Sequence, residues 1–259
     1  MLNIRNLDVK FNVDGDIVHA VKGISYHVKP GQSVGIVGES GSGKSVSAMA
    51  IMGLLPSSAQ TSGDILFRDT LLSSLSEKEY RHIRGKKIGY IFQNPLAALN
   101  PVFTIANQMI ETIQLHHTMS KDAARRYAID LLNRVKIVHA EKRIDDYPHQ
   151  FSIGMCQRIM IAMTLSMKPD VLIADEPTAS LDVTTQKEIL ELIDELKKEY
   201  NMAMIFISHD LAVVAERCDH VAVMYHGEIV EQGKPKDIFT APKNDYTKLL
   251  IDAIPKISF

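Results

Sequence analysis

The chain has 259 residues, of which 46% are hydrophobic and 23% are charged, and its formal net charge is −2. This size suits one large α/β domain, or a domain with a subdomain, around a substantial core. The near-neutral charge implies no strongly basic surface and disfavours global nucleic-acid binding, which leaves a local basic patch as the open alternative. The two cysteines are too few for a disulfide framework and suit a reducing, cytosolic compartment. Since no apolar run is long enough to span a membrane, we expect a soluble chain whose membrane role comes through a partner.

The first hundred residues predict strands on both sides of a glycine-rich loop. Alternating apolar and β-branched residues indicate the strands, and Gly and Pro mark the turns between them. The predicted strands are 2–13, 17–28, 33–37, 63–67 and 87–92. Apolar spacing predicts helices at 46–55 and 76–83.

Helical spacing dominates the middle of the chain. Residues 104–147 predict a mostly helical subdomain inserted into the α/β core, and 152–167 predict a further helix that Ser152 would cap. Buried strands at 171–174 and 203–207 flank an amphipathic helix at 183–200. Because apolar strands alternate with helices, we predict a mainly parallel sheet behind an N-terminal antiparallel β subdomain.

The loop after the strand at 33–37 matches the phosphate-binding pattern G-x-x-x-x-G-K-[ST]. It reads Gly38-Glu39-Ser40-Gly41-Ser42-Gly43-Lys44-Ser45. Between a strand and a helix, its backbone N–H groups would face an anion. Lys44 would reach the β- and γ-phosphates, and Ser45 would ligate Mg²⁺. The fold class is therefore predicted to be α/β with a P-loop NTPase core, and the ligand a nucleoside triphosphate.

Polar residues follow three of the other predicted strands. We assign Asp175 to the metal and Glu176 to the general base, since both follow the strand at 171–174. His209 follows the strand at 203–207, where it could hydrogen-bond the γ-phosphate. Gln93 follows the strand at 87–92 and is placed to reach Mg²⁺ or the attacking water.

Ser152 and Gly154 open a predicted helix and could form a second anion site. They cannot cradle the phosphates of the Gly38 loop unless another copy of the fold presents them.

In this order and spacing, the motifs resemble those of the ATP-binding subunit of ABC transporters. The resemblance covers nearly the whole chain: the phosphate loop, the Q-loop at Gln93, a signature-like segment at 151–155, the Walker B segment at 171–176, the D-loop at 179–182 and the switch histidine His209. It implies ATP and Mg²⁺ as cofactors and contacts from Ser152, Ile153, Gly154 and Asp182 to ATP on another chain. By position, Phe11 resembles the aromatic residue that stacks on adenine, although it could equally be a core strand residue.

Two further segments look like peptide and nickel importer ATPases. They are 93–101 after the Q-loop and the tail 245–250, ending in Ile254-Pro255. The run 155–163 looks like the first of the two ATPase subunits in such systems. The resemblance implies a heterodimer with a second unlike ATPase, two transmembrane permease subunits and an extracytoplasmic solute-binding protein. It implies a peripheral location at the cytoplasmic face of the membrane.

The same resemblance suggests how the chain divides. It implies one ABC ATPase domain with a nucleotide-binding core at 1–92 and 168–240, a helical subdomain at about 95–167 that carries the signature, and a tail at 241–259.

The signature departs from the family pattern Leu-Ser-Gly-Gly-Gln. Phe151 replaces Leu, Ile153 replaces the first Gly, and Cys156 stands where the subfamily commonly has a basic residue. A branched side chain at Ile153 could obstruct close backbone approach to the γ-phosphate. Our hypothesis is that this chain's signature forms an impaired site, whereas its own phosphate loop belongs to a competent one.

Alternative functions remain open from the sequence. The cargo could be a peptide, or nickel or a metal complex, and the short tail after Pro255 favours the nickel type. A soluble ABC ATPase in translation or DNA repair would usually have two ATPase units or a long coiled-coil insertion, and neither is visible. A P-loop GTPase or kinase lacks support, since no Asn-Lys-x-Asp guanine motif occurs.

Overall fold

The computed structural model describes residues 1–13 and 15–253. These residues divide into two compact units, one built from 1–84 and the chain after 200, the other from 85–200. Residue 14 of the predicted first turn and the predicted family tail at 254–255 lie outside the described residues.

The N-terminal part of the first unit is mostly β-structure. Its elements are β1 (Leu2–Val13), β2 (Asp16–Val28), β3 (Ser33–Val37), α1 (Lys44–Ile51), β4 (Ala59–Phe67), β5 (Thr70–Leu71) and α2 (Glu77–Tyr80). Four strands form an antiparallel sheet in the order β2-β1-β4-β5. The predicted antiparallel β subdomain is therefore present, with β4 beginning four residues earlier than expected.

Two helices of this part are shorter than the periodicity predicts. Helix α1 ends at Ile51 because Gly53 adopts a left-handed φ of 59°. The Leu54 and Gly53 N–H groups then bond the carbonyls of Met49 and Ala50, which closes the helix in a Schellman motif. Helix α2 covers only Glu77–Tyr80 of the predicted 76–83 segment, with Ser76 and Glu79 forming its capping box.

The second unit contains most of the helices. Its elements are β6 (Ile88–Ile91), α3 (Pro95–Ala98), α4 (Ile105–His116), α5 (Lys121–Arg134), α6 (Ala140–Arg143), α7 (Ile153–Leu165), β7 (Val171–Asp175) and α8 (Val183–Tyr200). The hydroxyls of Thr104, Ser120 and Ser152 cap α4, α5 and α7. Strands β6 and β7 pair in parallel, so their carboxyl ends lie side by side.

The remaining elements complete the first unit. They are β8 (Ala203–Ser208), α9 (Leu211–Arg217), β9 (His220–Tyr225), β10 (Glu228–Gly233), α10 (Pro235–Thr240) and α11 (Asp245–Asp252). Strand β3 lies between β8 and β9 and is parallel to both, while β10 is antiparallel to β9. All five residues of β3 are buried, as expected for a central strand of a parallel sheet.

Within the described residues, no helix combines the length and the apolar character that a membrane crossing needs.

Candidate functional site

The phosphate loop joins β3 to α1 in the first unit. Lys44 is the first residue of α1 and is only 5% exposed. Its ammonium group donates to the carbonyls of Gly38 and Glu39, both at 2.7 Å, so that the side chain folds back over the loop. A buried cation beside the first turn of a helix is suited to a polyanion.

The loop lies tightly against the rest of the first unit. Gly38 has a φ of 152°, and a Cβ at this position would stand 2.1 Å from the Met224 carbonyl oxygen. The Ser42 hydroxyl is buried and has no hydrogen-bond partner among the described residues. Three features fit a loop that closes around a phosphate chain. They are the glycine that the backbone requires at position 38, the buried ammonium group of Lys44 and the unsatisfied buried hydroxyl of Ser42.

His209 lies at the same edge of the first unit's parallel sheet as this loop. Val37 of β3 pairs with Ser208 of β8, so Gly38 and His209 are the residues that follow the two paired strand ends. The Asp210 carboxylate accepts from the Ala212 and Val213 N–H groups, at 2.9 and 3.2 Å, and starts α9 directly after the exposed His209. The position suits a side chain that contacts a ligand.

Phe11 lies on β1 and is half-buried. It pairs with Val18 of β2 and Ala59 of β4. Partial exposure leaves part of the ring accessible, as a stacking role requires.

In the second unit, the paired ends of β6 and β7 bring the two predicted acids beside Tyr90 and Gln93. Asp175 ends β7 and is 6% exposed, and its carboxylate accepts a hydrogen bond from the Tyr90 hydroxyl at 2.7 Å. Burial and this carboxylate raise the pKa of Tyr90 far above its usual range, so that the phenol stays a proton donor. Tyr90 is a residue that sequence reasoning missed. The available signal was a tyrosine in an otherwise apolar strand, since a buried phenol normally has a partner.

Glu176 and Gln93 meet directly. The Gln93 amide donates to the Glu176 carboxylate at 2.9 Å. The backbone of Glu176 is left-handed, with a φ of 43°, a conformation that costs a non-glycine residue about 1–2 kcal/mol. This backbone and the Gln93 amide together orient the carboxylate that we predicted as the general base.

A cleft of about 540 Å³ in the second unit contains the signature-like segment. Ser152, Ile153 and Gly154 line it together with Asp182 of the predicted D-loop. Gly154 packs closely on Thr185, so that an added Cβ would stand 2.7 Å from the Thr185 methyl carbon. Ile153, the residue that departs from the family pattern, is 42% exposed and is therefore accessible to a ligand in the cleft.

Arg158 supports the same cleft and was not predicted. Its guanidinium donates to the Glu188 carboxylate at 2.6 Å and to the Val135 carbonyl at 3.1 Å, so the charge is paired although the residue is buried. Asp182 accepts from the Thr185 N–H at 3.0 Å, and this bond lowers the pKa of its carboxyl. The charged groups that line the cleft therefore have hydrogen-bond partners.

The structure distributes the predicted residues between the two units. Phe11, the phosphate loop and His209 belong to the first unit. Gln93, Asp175, Glu176, the signature-like segment and Asp182 belong to the second.

Sequence comparison identifies relatives along nearly the whole chain. The family model described as ABC transporter matches residues 21–179. The dipeptide transport ATP-binding protein DppD of Bacillus subtilis is 49% identical over 99% of this chain and 77% of its own length. DppD of Escherichia coli is 48% identical over 100% and 79%, and the oligopeptide transport protein OppD of B. subtilis is 46% identical over 99% and 72%.

Solved structures give the same result for the fold. The ATP-binding cassette MJ0796, a dimer bound to ADP and Pi in a post-hydrolysis state, superposes with a TM-score of 0.81 at 26% identity. The match covers 91% of this chain and 99% of that one. The transporter component cbiO1 of Clostridium perfringens has a TM-score of 0.76 at 33% identity, covering 93% and 90%. These matches confirm the predicted fold class.

Proposed function

Because the chain belongs to the ABC transporter family and is an ATPase, we propose that it hydrolyses ATP to drive peptide uptake through a membrane importer. The observation that carries the cargo assignment is the similarity, over nearly the whole of this chain, to ATP-binding proteins named for dipeptide and oligopeptide transport. The folded-back Lys44 and the oriented Glu176 supply the chemistry that such a subunit needs.

In this proposal, the first unit binds the nucleotide. Lys44 keeps its bond to the Gly38 carbonyl and directs its remaining donors to the β- and γ-phosphates, and the loop from Gly38 to Ser45 surrounds the phosphate chain with N–H groups. Phe11 stacks on the adenine, and His209 hydrogen-bonds the γ-phosphate.

The second unit supplies the hydrolytic groups. Glu176 accepts a proton from the attacking water, and Gln93 keeps the Glu176 carboxylate oriented. Ser45, Asp175 and Gln93 are the residues that would hold Mg²⁺, directly or through water, with Tyr90 fixing Asp175. Bound Mg²⁺ neutralises charge on the phosphates.

We further propose that the signature cleft binds ATP held by a second ATPase chain. Ser152, Gly154 and Asp182 would contact that nucleotide, and Ile153 would weaken the contact. A second unlike ATPase then gives two unequal sites, of which the one with Lys44, Glu176 and His209 is competent. In the proposed division of the chain, the nucleotide-binding core comprises 1–92 and 168–240. The helical subdomain comprises about 95–167, and the tail comprises 241–259.

The remaining partners follow from the same proposal. Two transmembrane permease subunits and an extracytoplasmic solute-binding protein complete the importer, and this chain is peripheral at the cytoplasmic face. ATP closes the ATPase pair and hydrolysis reopens it, a two-state change that γ-phosphate contacts bias.

The test is transport by the assembled complex. The chain is co-expressed with a second ATPase, two permease subunits and a solute-binding protein, and the complex is reconstituted in vesicles. ATP-dependent uptake of labelled dipeptide or oligopeptide is expected, and the Glu176→Gln variant should abolish it. Uptake of nickel or a nickel chelate with no peptide uptake would overturn the peptide assignment.

A further inference from the structure

The C-terminal helix α11 contacts the phosphate loop within the first unit. The backbone N–H of Glu39 donates to the hydroxyl oxygen of Tyr246 at 2.9 Å, although 207 positions separate the two residues in the sequence. This bond joins the second residue of the loop to a side chain outside all the nucleotide-binding motifs.

Tyr246 is held in place from several sides. Its ring stacks on Tyr225 at the end of β9, with centroids 4.0 Å apart and an interplanar angle of 29°. Asn244 caps α11 by accepting from the Tyr246 N–H at 2.9 Å. The Glu231 carboxylate of β10 accepts from the N–H groups of Lys243 and Asn244, at 2.9 and 3.0 Å. The phenol is therefore presented from a fixed position.

The same peptide group also faces Lys44. The Glu39 N–H and the Gly38 carbonyl belong to one trans peptide, so they point in opposite directions. The N–H bonds Tyr246, and the carbonyl accepts from the Lys44 ammonium at 2.7 Å. A hydroxyl that fixes one side of this peptide also fixes the direction of the other, and the two bonds polarise each other.

A second backbone contact lies on the far side of the loop. The Gly227 N–H, in the turn between β9 and β10, donates to the Ser42 carbonyl at 3.0 Å. Glu39 and Ser42 are thus both anchored, and the exposed residues Ser40 and Gly41 lie between them. Groups outside the loop therefore hold its backbone at both positions.

We propose that Tyr246 is a positioning residue for nucleotide binding, which holds the 38–39 peptide so that Lys44 and the phosphate loop are preorganised for ATP. This inference rests on the proposed binding of ATP by that loop. It adds α11 to the determinants of ATP affinity. Since an exposed, neutral hydrogen bond contributes modestly, its removal should weaken ATP binding by about two- to tenfold.

The experiment compares two conservative variants of the full chain. Tyr246→Phe keeps the ring and its stack on Tyr225 but removes the hydroxyl. Lys248→Gln removes the exposed pair with Asp245 on the same helix and serves as the control. The Kd of a fluorescent ATP analogue should rise about two- to tenfold in Tyr246→Phe and stay at the wild-type value in Lys248→Gln.

Two further readouts separate positioning from general loss of structure. Hydrogen exchange at the Glu39 amide should accelerate in Tyr246→Phe while the amides of β3 keep their protection. In the assembled ATPase, the KM for ATP should rise by a larger factor than kcat falls. Tyr225→Leu, which removes the stack, should change the Kd in the same direction.

The outcomes distinguish this inference from the proposed function. If the wild-type chain does not bind the ATP analogue, the proposed function fails. If the wild type binds it, Tyr246→Phe binds equally well and the Glu39 amide stays protected, then only the role of Tyr246 is overturned.

Discussion

Replacing Tyr90 by phenylalanine tests how Asp175 is held. The substitution keeps the aromatic ring, which packs 4.5 Å from Phe92, and removes only the hydroxyl that donates to Asp175 at 2.7 Å. Asp175 is 6% exposed, so water cannot freely replace the lost donor. We expect both folding stability and the affinity for Mg²⁺-ATP to fall.

The charge on the Asp175 carboxylate sets the size of the expected loss of stability. A hydrogen bond to an ionised group contributes about 1.5–3 kcal/mol to stability, whereas a neutral one contributes about 0.5–1.5 kcal/mol. Tyr127 provides a matched neutral case, because its half-buried hydroxyl donates to the Ser166 carbonyl at 3.0 Å. Tyr90→Phe should therefore cost about 1 kcal/mol more than Tyr127→Phe.

Urea unfolding of both variants measures this difference. The midpoint should shift further for Tyr90→Phe while the slope of the transition stays equal to that of the wild type, so that the shift reports stability. Isothermal titration with Mg²⁺-ATP should show weaker binding for Tyr90→Phe alone. Equal stability losses in the two variants, with unchanged Mg²⁺-ATP affinity, would refute the assignment of Tyr90 as the residue that fixes Asp175.

Three further substitutions test the proposed site. Lys44→Met removes the buried ammonium and should weaken ATP binding about ten- to hundredfold, measured by equilibrium titration; affinity near the wild-type value would contradict the role of Lys44. Glu176→Gln should lower the ATPase rate of the assembled complex at least about a hundredfold while ATP binding persists, and near-normal turnover would exclude Glu176 as the principal base. Ile153→Gly should raise the ATPase rate of that complex by up to about tenfold. Glycine at the start of α7 also costs up to about 1 kcal/mol of stability. An unchanged ATPase rate would show that Ile153 does not impair the signature.

Local sequence patterns predicted those strands and helices that can be identified from their own residues alone. Strand β3 and its loop follow from the short, mainly apolar segment at 33–37 and a glycine pattern, and β7 follows from an apolar run that ends at Asp175. Helix α8 follows its amphipathic spacing and begins and ends at the predicted residues. These features need no knowledge of what packs against them.

The contacts that orient the site were not predictable in this way. The Gln93 amide and the Glu176 carboxylate were each predicted separately, but their bond depends on the parallel pairing of β6 with β7. The bond between Tyr246 and Glu39 spans 207 positions and depends on where β10 and its Glu231 hold α11. Such contacts arise from tertiary packing, and no short segment of the sequence carries a signal for them.

The position of β3 between β8 and β9 has a consequence for synthesis on the ribosome. Both of its partner strands are encoded about 165 residues or more downstream, so the apolar segment Ser33–Val37 emerges long before either can pair with it. At about 5–20 residues per second, this interval lasts roughly ten to thirty seconds. During that time a strand that is fully buried in the folded first unit is an exposed hydrophobic segment, which makes the nascent chain a client for chaperones.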